Sequence, residues 1–146
     1  MRWIGSLFLH LPQAVKEDYY SDAYRCICDP TTPRNGYLAQ SMLLLVIGLD
    51  GTCSRDEAVR LLRRLEELAI EINLNHCSFA TTHGKGLAVV EESWRRTWWE
   101  LYVVDGMIAG VHRVTNFALY NAEADVRLPC EENEYLSGYS FAIVFG

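Results

Sequence analysis

No apolar run in this sequence is long enough to cross a membrane. The longest, Met42 to Leu49, falls far short of the about 20 residues a spanning helix needs. There is no excess of positive charge either. Lys and Arg number 13 against 19 Asp and Glu, for a net charge of -6 and an isoelectric point near 5.2. Long-range attraction to nucleic-acid phosphate or anionic lipid is therefore absent over the chain as a whole, and any contact with nucleic acid has to be local or supplied elsewhere. The cysteines do not pair by number. There are 5 of them, Cys26, Cys28, Cys53, Cys77 and Cys130, and no Asn-x-Ser/Thr sequon accompanies them, which points to reduced, intracellular thiols. The apolar start, Trp3 to Leu9, is cut short by His10 and Pro12 with no small-x-small cleavage site behind it, so no secretory leader is expected. Internal repeats and low-complexity segments are missing as well.

What is present is enough for one core. Half of the 146 residues are hydrophobic and 22% are charged, a balance that offsets the entropy cost of ordering and excludes a largely disordered chain. The pattern predicts four helices. The first runs from about Pro12 to Arg25, with Tyr20 and Tyr24 one turn apart on a shared face, and stops before Asp29-Pro30-Thr31-Thr32-Pro33. The second follows Asn35-Gly36 through Ile47, is apolar nearly all round and so should be buried, and closes at Asp50-Gly51. In the third, Ser54 and Glu57 read as a capping box. Ala58, Leu61, Leu62, Leu65, Leu68, Ala69 and Ile72 then form one apolar stripe, and Asn73-Leu74-Asn75 ends the helix. Thr81 to Gly86 reads as a flexible turn. The fourth helix covers about Val89 to Val114, with acid-before-base pairs Glu91–Arg95 and Glu92–Arg96 and a stripe of Trp94, Trp98, Leu101, Tyr102, Asp105 and Ile108. Asp105 thus lies on or beside an aromatic face and needs a cationic or hydrogen-bonding partner.

The residues of reactive or metal-ligating type favour plain readings. Cys26-x-Cys28, adjacent His76-Cys77, and the distant His83, His112 and Cys130 form no paired zinc knuckle, so no metal is expected. Gly84-Lys85-Gly86 lacks the upstream glycine and the Ser/Thr of a phosphate loop. No Gly-x-Ser-x-Gly elbow occurs, and nothing local sets a base beside a nucleophile. Glu91-Glu92 and Glu131-Glu132 are adjacent carboxylates that do not face one another, and are read as solvated surface or polar loop. Arg60, Arg63 and Arg64 share their helix with interleaved acids, so they too form a solvated face rather than a phosphate-binding patch.

One segment is more specific. Glu91-Glu92-Ser93-Trp94-Arg95-Arg96-Thr97-Trp98-Trp99-Glu100-Leu101-Tyr102-Val103-Val104-Asp105 resembles the signature of the fungal-specific transcription factor domain, the middle homology region found downstream of a six-cysteine zinc cluster. Supporting likeness lies in Pro33 to Gln40, in Ala69 to Asn75, and in Asp125 to Cys130 with Glu131 to Tyr135, so that it covers about Tyr19 to Gly138. The resemblance implies an all-α, irregular helical domain in a nuclear regulator of transcription by RNA polymerase II. It also implies regulatory proteins or a small effector as partners, and no catalysis. Carried over by position, Arg95, Arg96, Trp98, Trp99 and Asp105 match the motif. They are read as architectural, with aromatics filling the core and arginine–aspartate pairing fixing the helices. The family's zinc cluster and basic stretch are missing here, so no cofactor and no direct contact with nucleic acid is expected of this chain. The expected organisation is a helical lead-in over 1–18, a partial regulatory domain over 19–138, and a divergent, strand-prone apolar tail over 139–146. That tail suggests a truncated or misbounded product that leaves an apolar face uncovered and self-associates. The alternatives are a small-molecule-binding helical domain, its pocket lined by Tyr and Trp, and an inert fragment.

Overall fold

Each helix begins and ends where a particular side chain or backbone geometry makes it. The computed structural model describes residues 1–112 and 117–137. Among these, seven α-helices and one 3-10 turn account for all regular structure, with no strand; the chain is all-α, as expected. The helices are α1 (Arg2–Leu7), α2 (Gln13–Cys28), α3 (Gly36–Gly51), α4 (Arg55–Glu71), α5 (Cys77–His83), α6 (Ala88–His112) and α7 (Glu132–Ser137), with the 3-10 turn Ala118–Asn121 between the last two. The apolar tail expected at 139–146 lies outside the described residues. The chain divides into two compact units, Met1–Leu68 and Ala69–Gly146.

In the first unit, α2 starts behind Pro12 and ends at Asp29, whose carboxylate accepts from the Thr31 N–H at 2.8 Å and from its hydroxyl at 2.7 Å. These two bonds hold the Asp29 carboxyl below its ordinary value. Asn35 caps α3 by accepting from the Leu38 N–H at 3.1 Å, the preferred way to satisfy a first-turn donor. The close of α3 departs from expectation. The helix runs through Gly51, and the left-handed residue is Cys53, at φ 62°. Ser54 N–H reaches back to Leu49 O at 2.9 Å and Cys53 N–H to Asp50 O at 3.1 Å, the paired bonds of a Schellman end. Nor is α3 buried all round, since Tyr37, Leu44 and Ile47 are exposed. Trp3, on α1, packs over Gly48 so closely that a Cβ there would lie 2.6 Å from the indole. The Tyr20 hydroxyl donates to Glu57 at 3.1 Å, so one oxygen assigned from sequence to the start of α4 is turned toward α2. Burial first, and this bond second, push the Tyr20 phenol up to about 12.

The stripe of α4 is buried as the spacing indicates, with Ala58, Leu61, Leu62, Leu65, Leu68 and Ala69 all in the core. Asn73, at φ 61°, closes the helix in the same manner as Cys53 closes α3, Leu74 N–H bonding to Ala69 O at 2.9 Å. In the second unit, Thr81 to His83 belong to α5 rather than to a turn, and the turn itself is confined to Gly84–Gly86, where Lys85 and Gly86 take positive φ. Phe79 holds the short helix in place by stacking on His83, with ring centroids 4.1 Å apart, and by meeting the edge of Trp94 at 5.7 Å. Gly84 is required there, because a Cβ would run into the Glu91 side chain and the Ala80 carbonyl.

Candidate functional site

The arginine–tryptophan segment lies on α6, where its apolar members turn inward. Trp94, Trp98, Leu101 and Ile108 are buried, Trp98 with 1% of its surface exposed, and Tyr102 is half-buried. The polar members are arranged differently from the sequence expectation. Glu92, read above as solvated surface, is only 3% exposed. It accepts from Arg95 Nε at 2.8 Å, from Arg96 Nε at 3.1 Å and from the Cys130 N–H at 2.8 Å. Burial alone would raise its carboxyl; the Arg95 bond and the Cys130 N–H outweigh that and hold it below its ordinary value near 4.5. Burial and the neighbouring carboxylate push the Cys130 thiol up. Glu91 adds a longer contact to Arg95, at 3.8 Å.

Asp105 does not pair with either arginine. It is buried, and its Oδ2 accepts from the Leu119 N–H at 2.8 Å, fixing the start of the 3-10 turn. The reason is distance along the helix: nine or ten residues at about 1.5 Å each put Asp105 roughly 14 Å from Arg95 and Arg96. A separate segment satisfies its carboxylate instead. Gly106, beside it, leaves room for the Phe117 ring, 3.3 Å from where a Cβ would stand.

Glu92 and several further residues share one target, the irregular strap between the 3-10 turn and α7. Asn75 Nδ2 donates to Glu123 O at 2.9 Å, and Asn75 O accepts from the Asp125 N–H at 3.2 Å. The Asp125 carboxylate accepts from the Cys77 N–H at 2.7 Å, with His76 Nδ1 3.4 Å away. The Cys77 N–H bond, foremost, lowers the Asp125 carboxyl, while the hydrogen bond to Asp125 raises the Cys77 thiol. Trp99 Nε1 donates to Arg127 O at 2.9 Å, Arg96 Nη2 donates to Cys130 O at 2.8 Å, and the Arg96 guanidinium lies over the Tyr135 ring at 4.5 Å. Trp99, Tyr102 and Phe117 continue as edge-on aromatic neighbours at 5.6 and 4.7 Å. Arg96, Trp99 and Asp105 thus each hold a following segment by a backbone atom. Arg95 braces Glu92, and Trp98 fills the core.

Sequence reasoning missed Glu92 as the hub and Asn75 as the far anchor. The signal for Glu92 was its place four residues before Arg96 and three before Arg95, within reach of both guanidinium groups. Asn75 gave none beyond its position after a helix end.

The arrangement ties α6 to the strap. The polar side chains around the strap bond to one another and to main-chain atoms, except that Asn75 Oδ1 is buried without a hydrogen-bond partner. No group of three His, Cys, Asp or Glu side chains among the described residues converges as a metal site. Cys26 and Cys28, two positions apart on α2, point about 200° apart around the helix. The residues present therefore do not fit a zinc cluster. All five cysteines are free thiols.

Comparison with known proteins agrees with the segment that drew attention first. The family model described as the fungal specific transcription factor domain matches residues 3–145. A C6 finger domain transcription factor of Pestalotiopsis fici, iacK, is 49% identical over 138 residues, covering 94% of this chain and 20% of its own length. The chain thus spans about a fifth of that relative. No solved structure matches. With a match over nearly its whole length, this chain belongs to the fungal specific transcription factor domain family.

Proposed function

We propose that the chain serves as a regulatory segment of a nuclear transcription factor. It acts by interaction with regulatory proteins or a small effector, without turnover of a substrate and without gripping DNA itself. The observation that carries this reading is the family match over residues 3–145. The likeness to a C6 finger transcription factor supports it. So does the net charge of -6, which repels rather than attracts a phosphate backbone. In the candidate site, the polar groups are engaged with main-chain atoms that tie α6 to the strap, a use of side chains that suits a scaffold better than a reaction centre.

A reporter assay tests it. The whole chain is fused to an unrelated DNA-binding module and compared with that module alone at its own operator in fungal nuclei. A change in reporter output is expected, and an Asn75→Ala, Glu92→Ala double variant should lose it. Unchanged output in every promoter context would count against a regulatory role. Retardation of random-sequence DNA by the isolated chain at physiological salt would count against the absence of DNA contact.

A further inference from the structure

We propose that a groove in the first unit binds a small amphiphilic amine, a molecule with an apolar body and one ammonium group. The groove lies between α1, α2, α3 and the start of α4 and has a volume of about 860 Å³, within the range typical of small-molecule sites. Its apolar side is formed by Phe8, Leu44 and Ile47, and Phe8 and Ile47 are 84% and 46% exposed. These are large apolar surfaces left to water on a concave wall, where an apolar ligand gains most from covering them.

The walls are braced, so the space is part of the fold. Trp3 is locked over Gly48 and meets Tyr20 with ring centroids 5.1 Å apart. Tyr20 in turn is tied to Glu57.

The charge of the lining selects the head group. Glu17, Glu57 and Lys16 are the charged residues of the lining, which leaves it with one net negative charge; the Arg60 guanidinium, outside the lining, lies near enough to act on Tyr20. Gln13 Nε2 donates to Glu17 at 3.0 Å and the Tyr20 hydroxyl donates to Glu57 at 3.1 Å. Both bonds orient the carboxylates without neutralising them. The Tyr20 ring beside Glu57 adds a π face to the same corner, and a carboxylate next to an aromatic face is a setting that favours an ammonium over a carboxylate or an alcohol.

Such a ligand would be the small effector of the regulatory reading, and its biological meaning rests on that reading, but the binding does not. The test is calorimetric titration of the whole chain with octylamine, octanol and octanoate. The expected result is saturable one-to-one binding of octylamine, about tenfold tighter than octanoate, with octanol between them. Glu57→Gln should erase the preference for the amine, Lys16→Gln should strengthen amine binding, and Ile47→Trp should block all three probes by filling the groove. Glu57 is exposed and Lys16 half-buried, both outside the core, so their variants remain informative even where the tryptophan variant does not fold. Absence of saturable amine binding, equal affinity for the three probes, or a preference untouched by Glu57→Gln would overturn the proposal. Amine binding beside a silent reporter would sustain the groove and fail the regulatory reading. Reporter regulation without amine binding would fail the groove alone.

Discussion

Glu92 concentrates more of the second unit's polar stabilisation than any neighbour, because one nearly water-free carboxylate serves two guanidinium groups and a backbone N–H. Removing it leaves those donors facing a half-buried vacancy, and breaking such an arrangement costs far more than a surface pair is worth. Glu92→Ala is expected to lower unfolding free energy by about 3 kcal/mol; a loss below about 0.5 kcal/mol in urea titration would place Glu92 among ordinary surface acids. The pH dependence follows from the sign of its shift. Its carboxyl is held below the ordinary value near 4.5, so the folded state binds that proton less readily than the unfolded chain. Its contribution is therefore fully present above pH 4.5 and is lost as pH falls through the depressed folded value. Stability measured from pH 6 downward should fall less steeply in Glu92→Gln than in the parent chain, and parallel curves would contradict the assignment.

Gly48 shows how one helix is docked on another by the lack of a side chain. A Cβ at this position would lie 2.6 Å from the Trp3 ring and 2.8 Å from Ile4, so Gly48→Ala forces these side chains out of their present seats. The gain in α3 helix propensity, about 1 kcal/mol, works against the lost docking. The expected outcome is faster amide exchange in residues 2–7 with α3 itself protected as before, and unchanged exchange in α1 would show that the indole finds another seat. This contact also marks the limit of what the sequence reveals. Long amphipathic elements were legible, since Leu61, Leu65 and Leu68 on α4, and Trp94, Trp98 and Leu101 on α6, announce a buried stripe through spacing alone. The short helices were not. A six-residue α1 and a seven-residue α5 hold too few turns for a period to emerge, and tertiary contacts, Trp3 on Gly48 and Phe79 on Trp94, decide them instead. In the candidate site, the motif residues were identified but not their partners. Those partners are main-chain atoms of a distant segment, which carry no side-chain signature.

For the chain as a whole, the sequence led us to expect an uncovered apolar face. Exposed Val103, Met107 and Val111 recur every four residues along α6, which places them on one side of the helix. Sedimentation velocity is therefore expected to show concentration-dependent self-association at micromolar protein, weakened when Met107 and Val111 are both replaced by Glu. A single sharp monomer boundary at the highest attainable concentration would refute it. The strap has a further consequence, for how such a chain tolerates change. Because Glu123 and Arg127 are gripped through their carbonyl oxygens, the identity of their side chains is nearly irrelevant to the grip. Arg127→Ala should leave stability within about 0.5 kcal/mol of the parent, whereas Trp99→Phe, which removes the donor, should cost about 1 kcal/mol. Inherited substitutions can accumulate on the tethered side while the tethering side stays fixed, so descendants that share this clasp need not share the letters of the ribbon it holds.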